Sequence, residues 1–442
     1  MSDSPRKIAV NILINIEKKS SFVNVELNKM RKLPSLSNLD KRFISEIVSG
    51  VIKHKLTIDY IIDKYSKIKS KKMSPFVLSV LQTGVYQIVY MDKVPKSAAV
   101  NESVKLVKKS PAHGLSGIIN AVLRSVNEDE IDHITGNDAE YLSIKYSYPL
   151  WLSKRWVNEF GYEFAEKIMI SLDEKSDLFI RRSLGCSEKE LISELKKDSV
   201  ECSPFIPEGF SDYRFSYVIT NVSDLTSLSA YKKNMFYIQD PSASLAAYAL
   251  NPTEGECIID LCAAPGGKSI FAAELMNNIG KVISCDIYDQ KIKMIRENAD
   301  KYGLKIIKPT LNDALVYNEK FENTADKIIC DVPCSGFGII KKKPDIKYSR
   351  SESDIYSLSE MGLKILLSAD KYLKPGGIIV FSTCTIEKEE NENVVNEFLK
   401  IHSNYSLIPF GDAQKAMYTF YPCNTGTDGF YICKLKKDEI YR

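Results

Sequence analysis

From Glu254 to the end of the chain one pattern recurs: a short apolar run, an acid or glycine where it ends, then a segment of helical periodicity. The runs are Ile258-Ile259-Asp260-Leu261, Val282-Ile283-Ser284-Cys285-Asp286, Ile328-Ile329-Cys330-Asp331 and Ile378-Ile379-Val380-Phe381. They are apolar on consecutive residues instead of alternating, as in strands buried on both faces, and the helical segments between them supply the crossovers that parallel neighbours need. The expected architecture is a Rossmann-like, doubly wound α/β sheet, which binds ligands outside the carboxyl ends of its strands.

That sheet accounts for less than half of a 442-residue chain, which is too long for one compact domain. Residues 1–135 read as all-helical, with apolar residues at helical spacing in Phe43, Ile47, Val51 and in Leu78, Leu81, Val85, Ile88. Breaks at Pro34, Pro75, Pro95 and Pro111 predict about six helices, because proline cannot continue a helix interior. Residues 136–170 read as a helical linker containing Tyr141, Tyr146, Tyr148, Trp151 and Trp156. Residues 171–236 alternate short strand and helix signals and are expected to form a small α+β subdomain, leaving 237–442 as the α/β domain.

Charge is divided along these lines. Residues 1–135 carry 22 Lys and Arg against 13 Asp and Glu, whereas the remainder carries 38 against 44. A basic module attached to a mildly acidic one suits a polyanion partner, although a solvated helical surface gives the same count. No run approaches the roughly 18 apolar residues of a membrane span, and the amino terminus lacks a signal-peptide pattern. A cytoplasmic protein without a membrane partner, and a monomer, is expected. Ten cysteines scattered through such a chain read as reduced thiols, and four dispersed histidines leave no metal site in prospect.

The sharpest motif, Asp260-Leu-Cys262-Ala263-Ala264-Pro265-Gly266-Gly267-Lys268-Ser, follows the first strand and opens a helix. Asp286 ends the next strand, where a carboxylate can accept from ribose hydroxyls. The loop has neither the G-x-G-x-x-G spacing of dinucleotide sites nor a phosphate-loop context, so an adenosine cofactor other than NAD or ATP fits it best. Asp313, after the region of the third strand, is placed to accept from an adenine amino group or simply to cap its own loop.

Asp331-Val-Pro-Cys334-Ser follows the fourth strand and Ser382-Thr-Cys384-Thr the fifth, so both cysteines should face one crevice. Carbon 5 of cytosine is a poor nucleophile. A thiolate added at C6 activates it, and a second polar group is needed when the C5 proton leaves and the thiolate is expelled. Two thiols suit those two steps, Asp331 can hold the cytosine N3 and amino edge, and Lys268 or a helix amino terminus is a candidate for favouring the thiolate. Cys257, Cys262, Cys285 and Cys330 are expected to be buried and inert, and Cys186 and Cys202 incidental.

Taken together, Tyr237-Ile-Gln-Asp-Pro-Ser-Ala243, the Asp260 to Ser269 loop, Asp331 to Ser335, Pro344-Asp-Ile-Lys347, Ser382-Thr-Cys384 and Gly426-Thr-Asp-Gly-Phe430 resemble the RsmB (Sun/Fmu) family of ribosomal RNA small-subunit methyltransferases. Lys96-Ser-Ala-Ala-Val-Asn101-Glu, in the helical module, is similar to the RNA-binding factor NusB. The resemblance implies cytosine-5 methylation of 16S ribosomal RNA with S-adenosylmethionine. It implies cofactor contacts from Cys262 through Lys268 and from Asp286, Asp313 and Asp331, with Cys384 as nucleophile and Cys334 assisting product release. Two departures bear on RNA contacts: Ser183 stands where the family places asparagine, and Lys341-Lys342-Lys343 replaces a run richer in arginine and histidine. A transfer-RNA or DNA cytosine methyltransferase, or a non-catalytic NusB-like RNA-binding protein, would share part of this pattern. The cysteine pair speaks against the last, and a DNA enzyme would use the Pro-Cys thiol without needing Cys384.

Overall fold

The computed structural model describes residues 4–439 apart from Ser20 and Ser223. Its contacts divide the chain into two compact units: residues up to Glu174 together with Ile340–Arg350, and Lys175–Ile339 together with the chain from Ser351 onward. The expected linker at 136–170 therefore belongs to the helical unit, in helices Ala139–Lys145, Leu150–Phe160 and Tyr162–Asp173. The stretch 237–442 is also not continuous within its unit, because Ile340–Arg350 packs with the helices.

Among the described residues, seven α-helices run from Pro5–Lys19 to Ser116–Ser125 in the helical unit, one more than the proline breaks suggested. Among the junctions without proline is His54, between Asn38–Lys53 and Lys55–Tyr65, where φ −108° and ψ 24° leave the helical region. The His54 ring stacks on Tyr90, with centroids 4.1 Å apart, so tertiary packing marks this break. Pro75 sits in the first turn of Pro75–Tyr90, where its missing N–H costs nothing. That helix is apolar nearly all round and buried from Val77 to Ile88, as the central helix of a bundle must be. Each fully buried Ile or Leu along it contributes about 2 kcal/mol of transfer free energy.

In the other unit, strands β1 (Leu178–Arg182), β2 (Glu201–Phe205), β3 (Ser216–Thr220) and β4 (Phe236–Ile238) form an antiparallel sheet in the order β2-β3-β1-β4. The helix Glu188–Lys197 between β1 and β2 starts with a capping box made by Ser187 and Glu190.

The larger sheet contains β5 (Cys257–Asp260), β6 (Lys281–Asp286), β7 (Ile307–Leu311), β8 (Ala325–Asp331), β9 (Leu373–Thr383), β10 (Tyr405–Leu407), β11 (Met417–Phe420) and β12 (Phe430–Lys437). Its order is β10-β12-β9-β8-β5-β6-β7, with β11 on β12; strands β5 to β9 pair in parallel and β12 pairs antiparallel to β9. This is the Rossmann-like architecture the apolar runs predicted. Consecutive residues serve opposite faces: Ile258, Ile329 and Val380 pack with Leu245 and Phe271, whereas Ile259, Ile328 and Ile379 pack with Leu366 and Phe398. From β5 the chain builds outward through β6 and β7, then returns to place β8 on the other side of β5. That reversal opens a crevice at the carboxyl ends of β5 and β8.

Candidate active site

The loop after β5 is held by backbone hydrogen bonds, Leu261 N–H to Ile329 O, Ala263 N–H to Cys285 O and Gly266 N–H to Ala263 O. Gly266 has φ +108°, a conformation closed to most side chains, and a Cβ on Gly267 would stand 3.0 Å from Tyr237 and Gln239. Beside it Asp260 is fully buried. Its Oδ2 accepts from Ser269 Oγ at 2.7 Å, its Oδ1 has no partner among the described residues, and burial pushes the carboxyl up to about 7.

Two hollows flank this loop. One, of about 500 Å³, is lined by Cys262, Ala264, Asp286, Ile287, Tyr288, Asn312, Asp313, Asp331, Pro333, Cys334 and Cys384. The other, of about 170 Å³, is lined by Tyr237, Gln239, Cys262, Ala263, Ala264, Pro265, Gly267, Lys268 and Asp331. The larger lies in the range of pockets that enclose small molecules. Every cofactor residue expected from sequence except Gly266 lines one or the other, and Gly266 shapes the loop between its lining neighbours.

These residues fit S-adenosylmethionine. Asp286, at the end of β6, accepts from the backbone N–H of Ile287 at 2.8 Å and pairs with Lys291 at 3.3 Å, so its carboxylate is oriented before any ligand arrives. Asp313 Oδ1 accepts from Leu315 N–H at 2.9 Å; the capping role is present, and the residue also faces the cavity. Its neighbour Asn312, not singled out from sequence, is buried, and its Nδ2 has no hydrogen-bond partner among the described residues. A donor left unsatisfied on a pocket wall is costly unless a ligand accepts from it, and purine ring nitrogens are acceptors. Exposed Ile287 and Tyr288 add an apolar border suited to a base.

The two cysteines are brought together by strand register. Asp331 of β8 pairs with Ser382 of β9, so Cys334 and Cys384 leave adjacent parallel strands a few residues past matched positions. Their sulfurs are 3.3 Å apart as free thiols. The hydrogen bond to Cys384 and burial hold the Cys334 thiol well above its ordinary pKa, so Cys334 stays protonated. The turn after Cys334 is fixed by Gly338, which donates to Cys384 O and accepts from Gly429 N–H at 2.9 Å; a Cβ on Gly338 would fall 1.9 Å from Gly429 O. Asp331 accepts from Lys268 Nζ at 2.7 Å and from Ser382 Oγ at 2.8 Å. The Lys268 ammonium is thus committed to Asp331, not to a thiol as the sequence suggested.

Cys285 and Cys330 are buried as expected, whereas Cys257 and Cys262 are only half-buried; burial holds all four thiols above their ordinary range, so they are neutral at pH 7. Ser183 is also inside: its hydroxyl donates to Glu274 Oε1 at 2.5 Å, and Glu274 forms an ion pair with fully buried Arg181. The residue substituted for the family's asparagine is therefore satisfied internally. Sequence reasoning missed Glu390 and Asn391, which interlock behind the cysteines with Ser335 and Thr385 of the two motifs. The run Glu387 to Asn393 reads as a solvated acidic helix start, and nothing local in it marks a buried carboxylate.

The family model for the 16S rRNA methyltransferase RsmB/F matches residues 247–436, and that for the NusB family matches residues 3–128. A probable ribosomal RNA small subunit methyltransferase B of Bacillus subtilis (strain 168) is 33% identical over 98% of this chain and 99% of its own length. The ribosomal RNA small subunit methyltransferase B of Shewanella oneidensis is 29% identical over 98% and 99%. Among solved structures, PH0851 superposes with a TM-score of 0.81 and 25% identity over 99% of this chain and all of that one. NSun6 from Pyrococcus horikoshii, crystallised with the S-adenosylmethionine analogue SFG, superposes with a TM-score of 0.54 and 26% identity over 64% of this chain and 97% of that one. Fold and site define an S-adenosylmethionine-dependent methyltransferase carrying a NusB-type helical domain. The near full-length match places it more narrowly: the chain belongs to the 16S rRNA methyltransferase RsmB/F family.

Proposed function

We propose that this enzyme methylates carbon 5 of a cytosine in 16S ribosomal RNA through a covalent bond between Cys384 and C6 of the base. The observation that carries the reading is the 3.3 Å contact between Cys334 and Cys384, on the wall of the cavity that also holds Asp286, Asp313 and Asp331. A methyltransferase acting on an amino group has no use for a nucleophilic thiol, still less for two in contact.

Asp286 is the acceptor for the cofactor's ribose hydroxyls, Asp313 and Asn312 serve the adenine, and the loop from Cys262 to Lys268 with Asp331 borders the remainder. The bound cofactor supplies an electrophilic methyl group. Asp331, oriented by Lys268 and Ser382, accepts from the cytosine amino group, the edge that distinguishes cytosine from uracil. The Cys384 thiolate adds to C6, and the C5–C6 double bond becomes an enamine with electron density at C5. Once C5 carries its methyl group, the C5 proton passes to solvent water, the electron pair of the C5–H bond re-forms the C5–C6 double bond, and the C6–S bond breaks, restoring the Cys384 thiolate. Cys334 assists that second half. Its thiol donates toward the Cys384 sulfur and stabilises the leaving thiolate.

The relatives named above supply the substrate class, and the basic helical domain of NusB type suits an RNA polyanion. The test is incubation of the full chain with methyl-labelled cofactor and unassembled 16S ribosomal RNA, followed by nucleoside mass spectrometry. Labelled 5-methylcytidine is expected. Label in N4-methylcytidine, or label confined to transfer RNA in a competition mixture, overturns the reading.

A further inference from the structure

We propose that Glu390 is a positioning residue that clamps the two cysteine-bearing turns into one geometry; its catalytic importance rests on the two-thiol reading above. The turns belong to separate strands, and neither alone sets the distance between the sulfurs. Glu390 is 2% exposed and reaches across to the first turn, where Oε1 accepts from Ser335 N–H at 2.6 Å and Oε2 from Ser335 Oγ at 2.5 Å. With the Ser335 proton directed at the carboxylate, Ser335 Oγ is the acceptor for the Thr385 hydroxyl at 2.8 Å. Ser335 follows Cys334 and Thr385 follows Cys384, so this chain of bonds joins the turns one residue beyond the sulfur pair.

The next residue completes the clamp. Asn391 donates to Thr385 O at 3.1 Å and accepts from Thr383 Oγ1 at 2.5 Å, which pins the residues on both sides of Cys384. Ser335, Thr383, Thr385 and Asn391 are all fully buried, so none of these bonds can be exchanged for water. In its ionised form the Glu390 carboxylate only accepts, which directs the Ser335 hydroxyl toward it. Burial, with Glu387 facing it, pushes the Glu390 carboxyl up to about 7, and in its ionised form its charge is among the influences that keep the Cys334 thiol protonated.

The experiment compares the full chain with its Glu390→Ala, Glu390→Gln and Ser335→Ala variants. The readouts are thermal unfolding, cofactor affinity, single-turnover methylation, and the rate at which diamide closes a Cys334–Cys384 disulfide. Glu390→Ala should lower the methylation rate about 100-fold, the scale of an ångström-sized misplacement, with cofactor affinity unchanged and disulfide closure slowed. Glu390→Gln spans the same gap, with its amide donating to Ser335 Oγ, and should recover most of the rate and of the closure. A folded Glu390→Ala with wild-type rate and closure overturns the clamp, as does a Glu390→Gln as slow as Glu390→Ala with normal closure, which would assign the effect to charge. If Glu390→Ala does not fold, Ser335→Ala decides: normal closure and rate in it overturn the clamp, and a slowing of both upholds it. Disulfide closure needs no RNA, so a failure of the two-thiol reading, seen as no covalent RNA adduct from any variant with Cys384 intact, is distinguishable from failure of the clamp.

Discussion

The ammonium of Lys347 lies 3.8 Å from the centroid of the Tyr148 ring, with no part of the lysine side chain exposed. The same nitrogen donates to the carbonyls of Tyr146 at 3.1 Å and Lys53 at 3.3 Å, and stands 3.7 Å from Asp173. A segment that the sequence assigned to the α/β domain thus anchors in the helical unit through a buried cation.

Removing that cation should cost stability. Lys347→Ala leaves two carbonyls short of a donor and Asp173 without one of its two ammonium neighbours, and is expected to lower the unfolding free energy by about 3 kcal/mol, whereas Lys347→Met, which keeps the volume, should cost less. Urea unfolding of the full chain measures both. An alanine variant as stable as wild type would show that the buried charge contributes nothing net.

Acid should weaken the helical unit through His54. Burial drives its imidazole from the ordinary 6.5 down to about 4, so between those values the unfolded chain binds the proton and the folded one does not. Stability from this group is fully present above 6.5 and falls as pH drops toward 4, with a slope of at most about 1.4 kcal/mol per pH unit. His54→Asn should flatten that part of the pH–stability curve. An unchanged slope would assign the acid sensitivity elsewhere.

Asp286→Ala should weaken cofactor binding by about 10- to 100-fold, the loss expected for a charge-assisted hydrogen bond. Because Asp286 also orients Ile287 and Lys291, calorimetry is to be read beside thermal unfolding of the same sample. Wild-type affinity in a folded variant would mean that another group holds the ribose.

The two thiols should fail in opposite ways. Cys384→Ala is expected to bind cofactor and RNA yet form no covalent bond to RNA and transfer no methyl group. Cys334→Ala keeps the attacking sulfur but loses the group that assists elimination, so a protein–RNA adduct should accumulate on denaturing gels with cofactor present. An adduct from Cys384→Ala and none from Cys334→Ala would reverse the roles; an active Cys384→Ala enzyme would sink the mechanism.

RNA affinity of the helical unit is best tested on its surface. Deleting residues 1–135 would strip Ile340–Arg350 of its packing, since Lys347 bonds Lys53 and Tyr348 packs on the helical core. Lys67, Lys69, Lys71 and Lys72 are exposed within one short stretch. Replacing all four by Gln should reduce the slope of log affinity against log salt by about 3, if each neutralises one phosphate. An unchanged slope would place the RNA on another face.

Local chemistry made much of this protein legible in its sequence. Strands β5, β6, β8 and β9 announce themselves by consecutive apolar residues, the loop from Asp260 to Lys268 by its glycines, and Asp286 and Asp331 by standing where strands end. Sheet order then follows from a general rule of parallel α/β folds, which is why Cys334 and Cys384 could be expected to share a crevice. Their 3.3 Å contact could not, because it depends on the register of Asp331 against Ser382 and on Glu390, 55 residues from the serine it holds. Lys347 and Lys53 are 294 positions apart, and a lysine after Pro-Asp-Ile carries no local mark of full burial. Periodicity and turn chemistry are written into neighbouring residues. Burial of a charge, the partner of a carboxylate and the break at His54 arise only when distant segments exclude water together, and the tertiary structure alone decided them.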